Sequence, residues 1–225
     1  MRLNRSCSFH TQKYAKIRYV KNIDGQVFFV IENAINEFLK RNNGQLTSEE
    51  AKRLKIPSIT LTRLVKNGRL ERIGRGVYID PAIFGDDMFA IQYRFKRGIF
   101  YKDTSLFLHG MIDRTPDTYE MNFPSNYNSI ALKEYPVKVH RQVDPYYSMG
   151  IEEIESPGQH LIKTYNIERT LCDIVQTRDP SDPETINQAM NSYVKMKSKN
   201  LGLLNEYAKK LNVQGKIQTY MEVLL

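Results

Sequence analysis

Between Val27 and Arg41, apolar residues return at three- and four-residue steps. Phe28, Ile31, Ile35, Phe38 and Leu39 therefore share one face of a predicted helix. Asn42-Asn43-Gly44 stops it. Thr47-Ser48-Glu49-Glu50 then has the spacing of a capping box, with the Thr47 hydroxyl on free amides and Glu50 reaching back. A short helix to Leu54 should follow, burying Ala51 and Leu54. After Lys55-Ile56-Pro57, Ser58 is the expected N-cap of a helix to about Asn67. Leu61, Leu64 and Val65 turn inward there, Thr60 lies at the edge, and Ser58, Thr62, Arg63 and Lys66 stay outside. Gly68 ends that helix in the left-handed conformation. Two short β-prone runs, Leu70-Glu71-Arg72-Ile73 and Val77-Tyr78-Ile79, flank Gly74-Arg75-Gly76 and predict a hairpin closed by Asp80-Pro81.

Helix, short helix, turn, helix, hairpin is the order of a winged helix-turn-helix. The expected fold is α+β: this N-terminal module at residues 27–81, then a mixed α+β domain at 82–225, with a basic extension at 1–26. In the second domain the pattern predicts a helix from Phe84 to Lys96 and a strand at Ile99–Tyr101. A helix at Thr104–His109 follows, then strands at Tyr119–Phe123, Val137–Arg141, Ile151–Glu155 and Leu161–Tyr165. The last two are joined by a turn at Ser156-Pro157-Gly158. Ile167–Thr177 is helical, and two or three helices lie beyond Pro183.

Charge sharpens this division. Residues 1–80 hold 16 Lys/Arg against 7 Asp/Glu, whereas the remainder holds 17 against 18. The excess positive charge of the chain, +8 overall, therefore lies in its first third, which suggests a polyanionic partner for that part alone. No run approaches the roughly 20 apolar residues that cross a bilayer. The opening residues, Met1 to Cys7, lead into more charge rather than a signal-peptide core, so the expectation is a cytoplasmic protein without a membrane partner. Cys7 and Cys172 have no zinc-spaced neighbours and are expected as unpaired thiols, with no metal and no cofactor.

Double-stranded DNA is the partner that fits. In a helix-turn-helix the second helix enters the major groove with its N-terminal residues nearest the bases. Ser58, Thr60 and Thr62 can exchange hydrogen bonds there, Arg63 suits a bidentate guanine contact or a phosphate clamp, and Lys66 and Arg69 suit phosphates. Thr47 and Ser48 open the preceding helix, where free amides favour a phosphate. Arg72 and Arg75 sit on the wing, with a glycine on each side of Arg75 permitting close approach to the backbone or minor groove. Lys13, Lys16 and Arg18 belong to the lead-in, which is either a solvated arm or one lying along a groove.

Four stretches also resemble one family. Gly68-Arg69-Leu70-Glu71-Arg72-Ile73-Gly74-Arg75-Gly76-Val77-Tyr78 resembles the wing of the antitoxins of AbiE abortive-infection systems. Thr104 to Met111, Tyr119 to Pro124 and Ile167 to Ile174 resemble the same proteins, in their usual order. This resemblance, covering about residues 28–178, implies a type IV antitoxin acting in phage defence. Its winged helix would bind inverted repeats in its own promoter and repress the operon. Its C-terminal domain would counter a co-encoded nucleotidyltransferase-like toxin, without the two needing to form a stable complex.

Catalysis finds little support, and the chain is expected not to be an enzyme. His109 reads best as a core or hydrogen-bonded residue. Of Glu152, Glu153 and Glu155, only the last two share a strand face, and no ExK spacing follows them. Glu50-Ala51-Lys52 has that spacing but lies in the capped helix. Glu168-Arg169-Thr170 with Asp173 reads as a helix start and an internal Arg–carboxylate pair. Nucleotide-cofactor and serine-hydrolase motifs are missing. Two alternatives stay open, a nuclease targeted by its winged helix and a winged helix that docks protein rather than DNA.

Overall fold

The computed structural model describes residues 24–224, with side chains from Ile31 onward. Lys13, Lys16 and Arg18, and with them the expected basic extension up to residue 23, lie outside the described residues; its last three residues, 24–26, belong to the first helix. The chain divides into two compact units, one ending at Ala90 and the other beginning at Ile91.

In the first unit, α1 (Asp24–Arg41) buries Ile31, Ile35 and Leu39. They join Leu46, Ala51, Ile56, Leu61, Leu64 and Leu70 in one core, each large side chain contributing about 1.5–3 kcal/mol of transfer free energy. The chain turns out of α1 through Asn43 and Gly44, both at positive φ. Gly44 is required there: its φ is +71° and an added Cβ would lie 2.3 Å from the Ile83 side chain. Next comes β1 (Gln45–Thr47), then α2 (Ser48–Arg53) and α3 (Ser58–Lys66). The hairpin is β2 (Glu71–Gly74) and β3 (Val77–Ile79), with a register shift between Arg72 and Gly74. β1 completes the sheet in the order β1-β3-β2, all antiparallel. This is the expected winged helix-turn-helix.

Two local expectations need correction. Ser58 does not cap α3. Pro57 holds the cap position in an extended conformation with no side-chain bond, and Ser58 is already helical, its carbonyl accepting from the Thr62 hydroxyl at 3.1 Å. The helix expected from Phe84 begins later, as α4 (Asp87–Arg94), because the Asp86 carboxylate accepts the Phe89 amide at 3.0 Å and leaves Phe84 fully exposed.

The second unit carries a five-stranded sheet. Its strands are β4 (Ile99–Phe100), β5 (Tyr119–Pro124), β6 (Val137–Gln142), β7 (Ile151–Glu155) and β8 (Leu161–Tyr165). They lie in the order β6-β5-β4-β8-β7. The β5/β6 and β4/β8 pairs are parallel, and the other two are antiparallel. α5 (Lys102–Leu108) links β4 to β5, and α6 (Ile167–Ile174) follows β8. Then come α7 (Pro183–Lys195), α8 (Leu201–Lys210) and α9 (Gln214–Leu224). Leu106, Leu171, Ile174, Met190, Tyr193, Leu204 and Ala208 form their common core. The whole is α+β, as expected.

Candidate nucleic-acid interface

What the winged helix can present to a partner depends on how α3 is turned. Leu61 and Leu64 are each 2% exposed, and they fix the inward side. At about 100° per residue, Ile59, Thr62, Arg63 and Lys66 must then face outward, and all four are exposed. Thr60 falls with Leu64 on the inward side and is buried at 7% exposure, so the expectation that it offers its hydroxyl to DNA is corrected. Ile59 takes the outward place instead. Ser58 stays exposed at the helix start.

Thr47 is likewise withdrawn. Its hydroxyl accepts the Glu50 amide at 3.2 Å and donates to Glu50 Oε2 at 2.8 Å, and its own amide donates to the same oxygen at 2.8 Å. The capping box is thus complete, as the spacing predicts, and it occupies the Thr47 and Glu50 amides, two of the amides expected to be free for a phosphate. Ser48, the next residue, remains exposed. Arg69 is exposed, but its Nε donates to Glu32 on α1 at 2.8 Å. Arg72 folds its Nε toward the Gly74 carbonyl at 3.2 Å while staying exposed, and Arg75 stands exposed at the turn. The turn closes through Gly76 at a φ of +82°. Ser48 donates its amide to the Gly76 carbonyl at 2.7 Å, tying the wing to the start of α2.

Three further cations were not weighed as DNA contacts from the sequence. Lys52, Arg53 and Lys55 are exposed on α2 and the turn after it. Residues 45–79 hold eight Lys/Arg against three Asp/Glu, so the module is basic in its own right. Such a density of cations is what phosphate neutralisation requires, since that free energy is collective.

In the second unit the stretches with family resemblance become α5, β5 and α6. Arg169 on α6 is wholly buried and donates from Nε to Asp173 at 2.8 Å and from Nη2 to Gln142 at 2.8 Å. His109 offers Nε2 to the Tyr165 carbonyl at 2.7 Å; a carbonyl only accepts, so that nitrogen carries the hydrogen. Glu152 lies 3.4 Å from the same nitrogen, while Glu153 and Glu155 are exposed on β7. The carboxylates weighed for a nuclease do not converge with a histidine beyond this contact.

A different polar group does converge. Glu120 on β5, His140 on β6 and Asp179 bring ligand-type atoms within 4.8 Å of one another. Lys138 reaches Asp179 at 3.2 Å and Glu120 at 3.6 Å, and buried Lys102 reaches Asp179 at 3.1 Å. Burial alone would raise the Glu120 carboxyl, but the hydrogen bond and charge of His140, with both lysines, hold it below its ordinary range. Burial raises Asp103 nearby, against the hydrogen bond that Ser181 donates to it. Two ammonium groups already compensate Asp179, so this is an ion-paired cluster closed by its own counter-ions. Burial also raises the Cys172 thiol, which is free and enclosed.

Comparison with known proteins agrees with the N-terminal architecture. Residues 33–79 match the family described as transcriptional regulator, AbiEi antitoxin. The match takes in α2, α3 and the hairpin, and it supports a regulator and antitoxin role. Among solved structures, the fold is similar to the crystal structure of the RV2827C protein from Mycobacterium tuberculosis. The likeness covers 85% of this chain and 79% of that one, with a TM-score of 0.54 and 13% identity. Curated protein sequences gave no match. No helix among the described residues is long and apolar enough to cross a membrane.

Proposed function

We infer that this protein is a DNA-binding autorepressor and antitoxin. Its winged helix binds inverted repeats in its own promoter, with α3 in the major groove and the Arg72–Arg75 wing on the adjacent backbone. The observation that carries the reading is the outward side of α3, where Thr62, Arg63 and Lys66 stand exposed, on a helix followed in the chain by an arginine-bearing hairpin. Arg63 has the reach for a guanine edge, and Lys52, Arg53, Lys55, Lys66, Arg69 and Arg75 suit phosphates. Arg69 would have to leave its Glu32 partner, whose side chain is 18% exposed, to take up a phosphate.

The antitoxin half of the reading rests on the family match and on the resemblance of α5, β5 and α6 to AbiE antitoxins. The second unit counteracts a co-encoded nucleotidyltransferase-like toxin in phage abortive infection, without a stable complex, and the protein works in the cytoplasm as a regulator rather than an enzyme. Footprinting on the DNA upstream of its own gene tests the DNA-binding claim. Two protected half-sites about one helical turn (~34 Å) or a multiple apart are expected. Binding there no stronger than that of an unrelated basic protein removes it, and would favour a winged helix that docks protein.

A further inference from the structure

α3 holds one side chain on its outward side that phosphates and hydrogen-bonding edges do not explain. Ile59, the second residue of the helix, is 57% exposed. A single exposed aliphatic residue is ordinary on a protein surface. Its place here is not. Thr62 and Arg63 lie three and four positions on, hence beside it on the same side, and Lys66 lies seven on, two turns along nearly the same line. Ile59 is therefore the N-terminal end of the stripe assigned to the major groove, the end that comes nearest the base edges.

Among the major-groove edges of the four bases, the one alkyl group is the C5 methyl of thymine. An isoleucine is stiff at χ1 because it branches at Cβ, so it meets that methyl with little side-chain entropy to lose. We propose that Ile59 is a specificity-determining residue that reads a thymine methyl, one base step or so from the base addressed by Arg63. This deepens the DNA-binding reading above and rests on it. Removing one buried methyl corresponds to roughly a threefold to fivefold loss of affinity.

The test uses the full chain and its footprinted site. Each thymine of the protected half-sites is replaced in turn by deoxyuridine, which deletes the C5 methyl and keeps base pairing and the O4 acceptor. Wild-type protein should lose affinity about threefold to fivefold at one thymine in each half-site and much less elsewhere. I59A, a change at an exposed position, should keep the wild-type melting temperature and bind unmodified DNA more weakly. It should also become indifferent to deoxyuridine at that thymine, closing a double-mutant cycle. Wild-type binding that ignores every methyl, or an I59A protein as sensitive as wild type, overturns the proposal while leaving the repressor reading intact. Finding no preferred site upstream of the gene overturns both.

Discussion

Arg169 and Asp173, one helical turn apart on α6, form an ion pair at 2.8 Å with both side chains wholly removed from solvent. The guanidinium spends its other donors on the carbonyls of Tyr146 at 2.6 Å and Met149 at 3.1 Å and on Gln142. One residue thereby fastens α6 to the end of β6 and to the segment before β7. Such a pair costs much to break, because the survivor is left charged and dry. Arg169→Ala should destabilise the second unit by about 3–5 kcal/mol, read as a lowered urea midpoint. A loss under about 1 kcal/mol would mean that water or a neighbour takes over the vacated bonds.

In the first unit, the Thr47–Glu50 box is the most local stabilising device. Thr47→Ala deletes the cap oxygen, and a loss of about 1 kcal/mol is expected in thermal or urea unfolding. Because Thr47 is buried at 4% exposure, its loss should leave the salt dependence of DNA binding unchanged. A flattened salt slope would show instead that the hydroxyl reaches a phosphate.

For Arg63, sequence selectivity is the quantity to follow. Arg63→Ala should reduce discrimination against a substituted base by about 1–3 kcal/mol if the side chain forks onto a guanine. The measurement is competition binding across single-base variants of the operator at moderate salt. An equal loss on every sequence would move Arg63 from base reading to phosphate binding.

Acid stability should report on Glu120. Its folded carboxyl lies below the ordinary value of 4.5, so it stabilises the fold above that value and the contribution disappears as pH falls through the folded one. Glu120→Gln should therefore blunt the loss of stability below pH 4.5, seen in urea midpoints measured from neutral pH downward. Asp103 is raised and works in the opposite sense, so the comparison is variant against wild type rather than one absolute profile. Identical slopes would show that the lysine and histidine around Glu120 contribute nothing net.

Much of the first unit could be read directly from residue order. Apolar spacing placed α1, Thr47 and Glu50 placed α2, and Gly68, at a φ of +68°, marked the end of α3. What escaped was phase and partnership. Polarity left Thr60 at the edge, with its hydroxyl offered to DNA, and Ile59 unconsidered, yet the turn per residue set by Leu61 and Leu64 decides both, and that signal was present in the sequence. β1 escaped for a different reason: Gln45, Leu46 and Thr47 are all buried, so no alternation marks them, and their partner β3 lies some thirty positions on. In the second unit, strands and helices were visible one by one, but their pairing order was not. Glu120, His140 and Asp179 come from three separated segments, and no spacing rule joins them: the parallel β5/β6 pair sets Glu120 opposite Lys138, with His140 two positions further along β6.

The Ser48 amide donates to the Gly76 carbonyl, so the turn of the hairpin is fixed to the first residue of α2. Together with the β1–β3 ladder, this bond clamps the hairpin to the start of α2, in the same unit as the helix proposed to enter the groove. The two grips on a duplex would then behave like the jaws of a fixed-gap caliper. A duplex whose helical pitch or local curvature departs from that gap must itself deform to be held. Selectivity would then extend to base pairs that no side chain touches, through the stiffness of the DNA between the jaws.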